Sequence, residues 1–199
     1  MLLTGAIPRQ NFELIRDKIG EILITELNNQ KVIQGFSESI NIFSERTQPI
    51  DNSELLTINI NLESGDFSSK TQIGTNGKLM FNIDVYTSGI STSLKDGSID
   101  STFRLHKYIG MIRYILNYTG YKTLSMPLGI VGGTEIENFF IMESDLKQDS
   151  SYIKMARLQF SVRCNENQPL ESGIPLIEND TKVLLELTDL GYIYKFINN

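Results

Sequence analysis

The sequence predicts an α+β fold: a mainly antiparallel sheet with two helices packed on one face and a long β-hairpin arm. Three observations carry this. Two stretches repeat apolar residues at three and four positions, and they are separated by runs of strand character. Three other stretches alternate apolar and polar residues with period two, the mark of a strand with one buried face. No regular strand–helix–strand alternation links them, so a parallel doubly wound sheet is not expected.

The first helix follows Pro8, with Asn11 as candidate N-cap and Phe12, Ile15, Ile19, Ile22, Leu23 and Leu27 as its apolar stripe. Asn28-Asn29 reads as its end, and Gly20 marks a close packing contact within it. Val32-Ile33 and Ile40 to Phe43 follow, the latter a short strand before the turn-like Thr47-Gln48-Pro49. Leu56 to Leu62 and Leu79 to Val85 are the two strands of the hairpin, with Leu56, Ile58, Ile60, Leu62, Leu79, Phe81, Ile83 and Val85 facing the core. Glu63 to Lys78, rich in Ser, Gly, Thr and Asn, reads as a long polar loop at its tip, either simply disordered or an arm ordered by a partner through Phe67 and Ile73. Thr87 to Asp100 reads as a second polar loop.

Asp100 or Ser101 caps a second helix that ends near Tyr118, with Leu105, Tyr108, Ile109, Ile112, Ile115 and Leu116 as its stripe. Gly120 is placed as its left-handed cap. Tyr121 to Leu124 and Phe139 to Met142 are strand candidates around a Pro/Gly stretch, Met126 to Thr134. The clearest strand is last: Ala156, Leu158, Phe160, Val162 and Cys164 point inward, while Arg157, Gln159, Ser161 and Arg163 form a polar outer face fit for water or a partner chain. Val183 to Leu187 and Gly191 to Ile197 read as a strand pair. The domain organisation is therefore 1–164 for the α+β domain and 165–199 for a C-terminal extension.

The formal net charge of −6 and a single cysteine set outer bounds on function. Phosphate-driven nucleic-acid binding needs clustered Lys and Arg, which this balance does not favour. One cysteine allows no disulfide framework within the chain, and with a single histidine it excludes the usual His/Cys zinc cages. The apolar run at the N-terminus is short and lacks a basic preceding stretch, so no secretory signal is expected. No apolar run approaches the ~20 residues of a membrane-spanning helix.

Catalytic chemistry finds little support. His106 lies beside Lys107 on the second helix with no identifiable nucleophile or orienting group, and reads as a surface or packing histidine. Cys164 falls on the buried parity of its strand and behaves there as a small hydrophobe. Gly129 to Thr134 lacks the Lys-Ser/Thr ending of a phosphate loop and reads as a flexible turn. Glu135 with Glu137, and Glu143 with Asp145, share a face at strand spacing but read as solvated charge. No catalytic residue, cofactor or metal is expected.

The order of elements resembles the tail terminator, or tail-completion, proteins of long-tailed and contractile bacteriophages. The helix Phe12 to Leu27, the strands Leu56 to Leu62 and Leu79 to Val85, the helix Phe103 to Tyr118 and the strand Lys154 to Arg163, of the form Ala-x-Leu-x-Phe-x-Val, carry the resemblance over Asn11 to Cys164. It implies a structural virion protein without catalytic activity, made in a bacterial cytoplasm. Its copies would form a hexameric ring at the head-proximal end of the tail tube, joining it to the connector proteins of the neck. DNA would pass through that ring without specific binding. The expected interface residues are Phe67, Lys70 and Ile73 on the arm, and Arg157 and Arg163 on the last strand. The competing class is a monomeric binding module or tail assembly chaperone whose loops grip a partner transiently. An enzyme with an unrecognised site ranks last.

Overall fold

The computed structural model describes residues 6–47, 54–70, 74–91, 96–142, 147–148, 151–167, 178–184 and 191–197. The chain divides into two compact units, Met1–Asn167 and Gln168–Asn199. In the first, α1 (Asn11–Gln34), β1 (Asn41–Ser44), β2 (Leu56–Lys70), β3 (Gly74–Ile90), α2 (Gly97–Asn117), β4 (Val131–Met142), β5 (Lys147–Gln148) and β6 (Ser151–Asn167) follow one another. The second contains an antiparallel pair, β7 (Glu178–Leu184) and β8 (Gly191–Ile197). Of the tail strand expected at Val183 to Leu187, only Val183 and Leu184 fall in β7; 185–187 lie outside the described residues.

The fold is α+β as the sequence predicts. The strands run in the order β1-β2-β3-β6-β4, with the short β5 also beside β6. All neighbours are antiparallel except β1 and β2, which are parallel. The period-two parity holds across the three central strands: Ile58, Ile83 and Leu158 are fully buried, as are Phe81 and Phe160. Both helical stripes bury into the same core, Ile15, Ile19, Leu23 and Leu27 from α1 and Leu105, Tyr108, Ile112 and Leu116 from α2. Each such side chain contributes roughly 1.5–3 kcal/mol on leaving water.

Several boundaries differ from the sequence expectation, each for a local reason. Helix α1 begins one residue earlier in its capping, at Gln10, whose N–H donates to the Glu13 carboxylate at 2.9 Å. Asn11 instead donates its side-chain amide to the Asn165 carbonyl, and the Glu166 carboxylate accepts from the backbone N–H groups of Asn11 and Phe12 at 3.2 and 3.0 Å. A carboxylate at these orphan donors, with the positive end of the helix dipole, ties the end of β6 to the start of α1. The helix runs past Asn28-Asn29 to Gln34 and stops at Gly35, whose φ of 68° is the left-handed cap.

Helix α2 starts earlier than expected, because the Asp96 carboxylate accepts from the Ser98 N–H at 2.8 Å. The loop expected from Thr87 is strand β3 as far as Ile90. Gly120 does not cap α2; it lies in a single 3-10 turn, Thr119–Tyr121. Nor is Tyr121 to Leu124 a strand, since the chain turns through positive φ at Leu124 and Ser125. The expected turn at Gly129 to Thr134 is only partly one: β4 begins at Val131, with a bulge between Val131 and Gly133.

The largest correction concerns the hairpin tip. Within the expected loop, 63–70 and 74–78 are strand, while 71–73 lie outside the described residues. β2 and β3 stay paired to Lys70 opposite Thr75, across two register shifts, and β3 is held on its other side by β6 as far as Gly74 opposite Asn167. Residues this polar keep strand geometry because their backbone groups are paired, here on both edges of β3.

Candidate functional site

The surfaces that the described residues offer are the two ends of the sheet, its polar face, and the grooves beside its helices. Among the described residues no three His, Cys, Asp or Glu side chains converge as a metal site would need. His106 is exposed on α2, and no described helix is long and apolar enough to cross a membrane. The Cys164 thiol is 2% exposed, and burial, then the nearby Glu166 carboxylate, pushes it up to about 11. Of the acidic pairs, Glu143 and Asp145 lie outside the described residues. Glu137 sits at a bulge of β4 and joins the Lys78 ammonium and the Ser161 hydroxyl, which together hold its carboxyl below the usual range.

The five predicted interface residues meet different fates. Phe67 is half-buried and packs against the core rather than projecting from a loop. Its ring lies over the hairpin glycines: a Cβ at Gly77 would come within 2.3 Å of it and one at Gly65 within 3.0 Å. These glycines make room for an aromatic ring; flexibility is not their use. The side chain of Lys70 and the whole of Ile73 lie outside the described residues. Arg157 holds Asp84 with two hydrogen bonds, at 2.7 and 2.9 Å, and Asp84 is 2% exposed. That guanidinium is committed inside the fold, with its own pKa raised by the bond. Arg163 is exposed and carries no ion pair among the described residues.

The outer face of the sheet is also less open than its sequence suggests. Asn59 is buried under the chain that follows β1: its Oδ1 accepts from the Arg46 N–H, and its Nδ2 donates to the Arg46 carbonyl, both at 2.9 Å. Arg46 in turn pairs with Glu54 at 2.9 Å. With Arg157–Asp84 and Lys78–Glu137, these pairs compensate charge across the face.

The sheet ends carry the signal that sequence reasoning missed. β4 has β6 on one side and no strand on the other among the described residues, and β1 ends the sheet at the far side with only β2. Along β4, Phe139, Phe140 and Ile141 are 47%, 47% and 48% exposed. Phe139 and Ile141 lie opposite Leu158 and Ala156, so they continue the core-facing layer to the end of the sheet while staying about half exposed. Beside β1, a groove of about 470 Å³ runs against α1, lined by Gly20, Ile24, Ile40, Ile42 and Phe43 among others. A larger groove of about 610 Å³ separates α1 from α2, with Gln30, Met111, Tyr114, Tyr118 and Tyr121 on its walls. Four consecutive apolar residues, Phe139 to Met142, were the available clue to the β4 edge, but sequence does not say which strand ends a sheet. A scan against protein-family models and a search of curated proteins find no match for this chain.

Proposed function

We propose that this chain is a structural, non-enzymatic subunit of a bacteriophage tail or neck, forming a hexameric ring at the head-proximal end of the tail tube. The observation that carries the reading is the open sheet: two ends unpaired among the described residues, one of them lined by half-exposed Phe139, Phe140 and Ile141. An edge of this kind is an aggregation hazard unless another chain takes it up. Head-to-tail contacts between unlike edges close into rings when the rotation per copy allows. The resemblance in element order supplies the tail-terminator setting, with the tube and connector proteins as partners. The ion pairs across the polar face suit a lumen in which DNA is held only weakly, since unpaired cations, here the exposed Arg163, are what grip phosphate.

The test is negative-stain electron microscopy of the purified chain with tail tubes. Rings seated at one tube end are expected. Tubes left bare at both ends by a folded chain would refute the reading. The monomeric binding module or assembly chaperone remains the second reading, favoured by the tyrosine-lined groove between α1 and α2. It predicts a soluble complex that is missing from finished particles.

A further inference from the structure

Resting on the ring reading and making it specific, we infer that the β4 edge of one copy seats in the groove between α1 and β1 of the next. Both halves of the contact are on one chain, at opposite ends of one sheet. An apolar patch complementary to a pocket elsewhere on the same molecule gives a head-to-tail contact and not a two-fold dimer.

The faces match. Phe139 and Ile141 lie on the helix side of the sheet, opposite Leu158 and Ala156, and Phe140 lies on the polar side, opposite Arg157. At the other end Ile42 lies opposite buried Ile58, on the helix side, and Phe43 opposite Asn59, on the polar side. If the sheet continues with its helices on one side, Phe139 and Ile141 enter the groove beneath the neighbour's α1. Phe140 then meets Phe43, whose ring already carries the Arg46 guanidinium at 4.4 Å from its centroid. Gly20 is the opening in that groove, where the helix presents no side chain over Ile42 and Ile60.

The strand directions also follow. β1 is parallel to β2, and each step from β2 through β3 and β6 to β4 is antiparallel. β4 therefore runs opposite to β1. Copies related by a rotation that keeps strand direction and face meet antiparallel, edge to edge, as strand addition permits.

The test uses the full chain, Gly20→Leu to fill the groove, and the double variant Phe139→Lys/Ile141→Lys to charge the edge. A Cβ at position 20 meets only Ile60 Cδ1 at 3.5 Å and Ile42 Cγ2 at 4.0 Å, so the backbone there has room for a side chain that extends into the groove. Circular dichroism melts check both. In sedimentation velocity the unaltered chain is expected to oligomerise and each variant alone to be monomeric. A one-to-one mixture is expected to give a dimer and nothing larger, because each variant retains one working end. A Gly20→Leu chain that assembles like the original, or a mixture that stays monomeric, overturns the contact. So does an unaltered chain that is monomeric throughout. Rings on tail tubes built equally well by both variants would sink this contact and leave the ring reading standing. The expected dimer from a chain that never occupies a tube end would do the reverse.

Discussion

Arg157 and Arg163 sit six residues apart on the same face of β6, yet their surroundings give them opposite roles. Removing the first leaves the Asp84 carboxylate, 2% exposed, without its cation. Breaking a buried pair costs about 3–5 kcal/mol, and because the Arg157 side chain is 33% exposed the lower part of that range or less is expected. Arg157→Ala should thus lower the urea midpoint clearly, while Arg163→Ala should stay within about 0.5 kcal/mol of the original. Equal effects would show that the Asp84 bond does not hold in solution. Cys164 gives a second expectation at this scale. Its thiol is raised to about 11 by burial, and the Tyr108 phenol to about 12 by burial and then Glu38. Both are neutral in the fold where the unfolded chain would ionise, so their contribution is complete below pH 9 and is lost as pH rises through 11 and 12. Denaturant midpoints should fall from pH 9 upward, and thiol labelling of the native chain should be slow at neutral pH. Fast labelling would contradict the burial.

The hairpin makes the same point for elements. Period-two alternation marks the apolar halves of β2 and β3 clearly, but over 63–70 and 74–78 the side chains stop signalling and the backbone pairing carries the strand. Pairing partners are set by tertiary structure, so this length was not legible. Replacing Ser64 to Gly77 by an Asn-Gly turn removes paired strand and the Phe67 ring from the core edge, and should cost stability that a plain loop would not. Two glycines give a sharper comparison. Gly77→Ala drives a Cβ to 2.3 Å from the Phe67 ring and 2.6 Å from the Asp66 carbonyl, so a fall in melting temperature is expected. Gly20→Ala, in open helix at ordinary contact distances, should gain about 0.5–1 kcal/mol. A stabilised Gly77→Ala would mean that Phe67 does not lie over the hairpin. The helix ends were legible only in part, because their caps come from distant or backbone groups. Glu166, more than 100 residues away, caps α1, and no local pattern announces it.

For the molecule as a whole, fold class and core follow from periodicity, since both helical stripes and all three strand parities bury as read. The face of the sheet was less legible. Asn59 has the outward parity of a solvated residue, but Arg46 and the chain after β1 fold over it. An Asn59→Asp change, neutral on a solvated face, should here be destabilising, because a carboxylate cannot donate to the Arg46 carbonyl and would be buried beside it. What the sequence could not reveal is which strands end the sheet, and there the candidate function lies. The most direct test of the ring reading is native mass spectrometry of the full chain across a concentration series, alone and with tail tubes. The account predicts a closed hexamer, alone at high concentration or at the tube end, with no series of open, growing oligomers. A monomer under every condition, or an open ladder without closure, would contradict it.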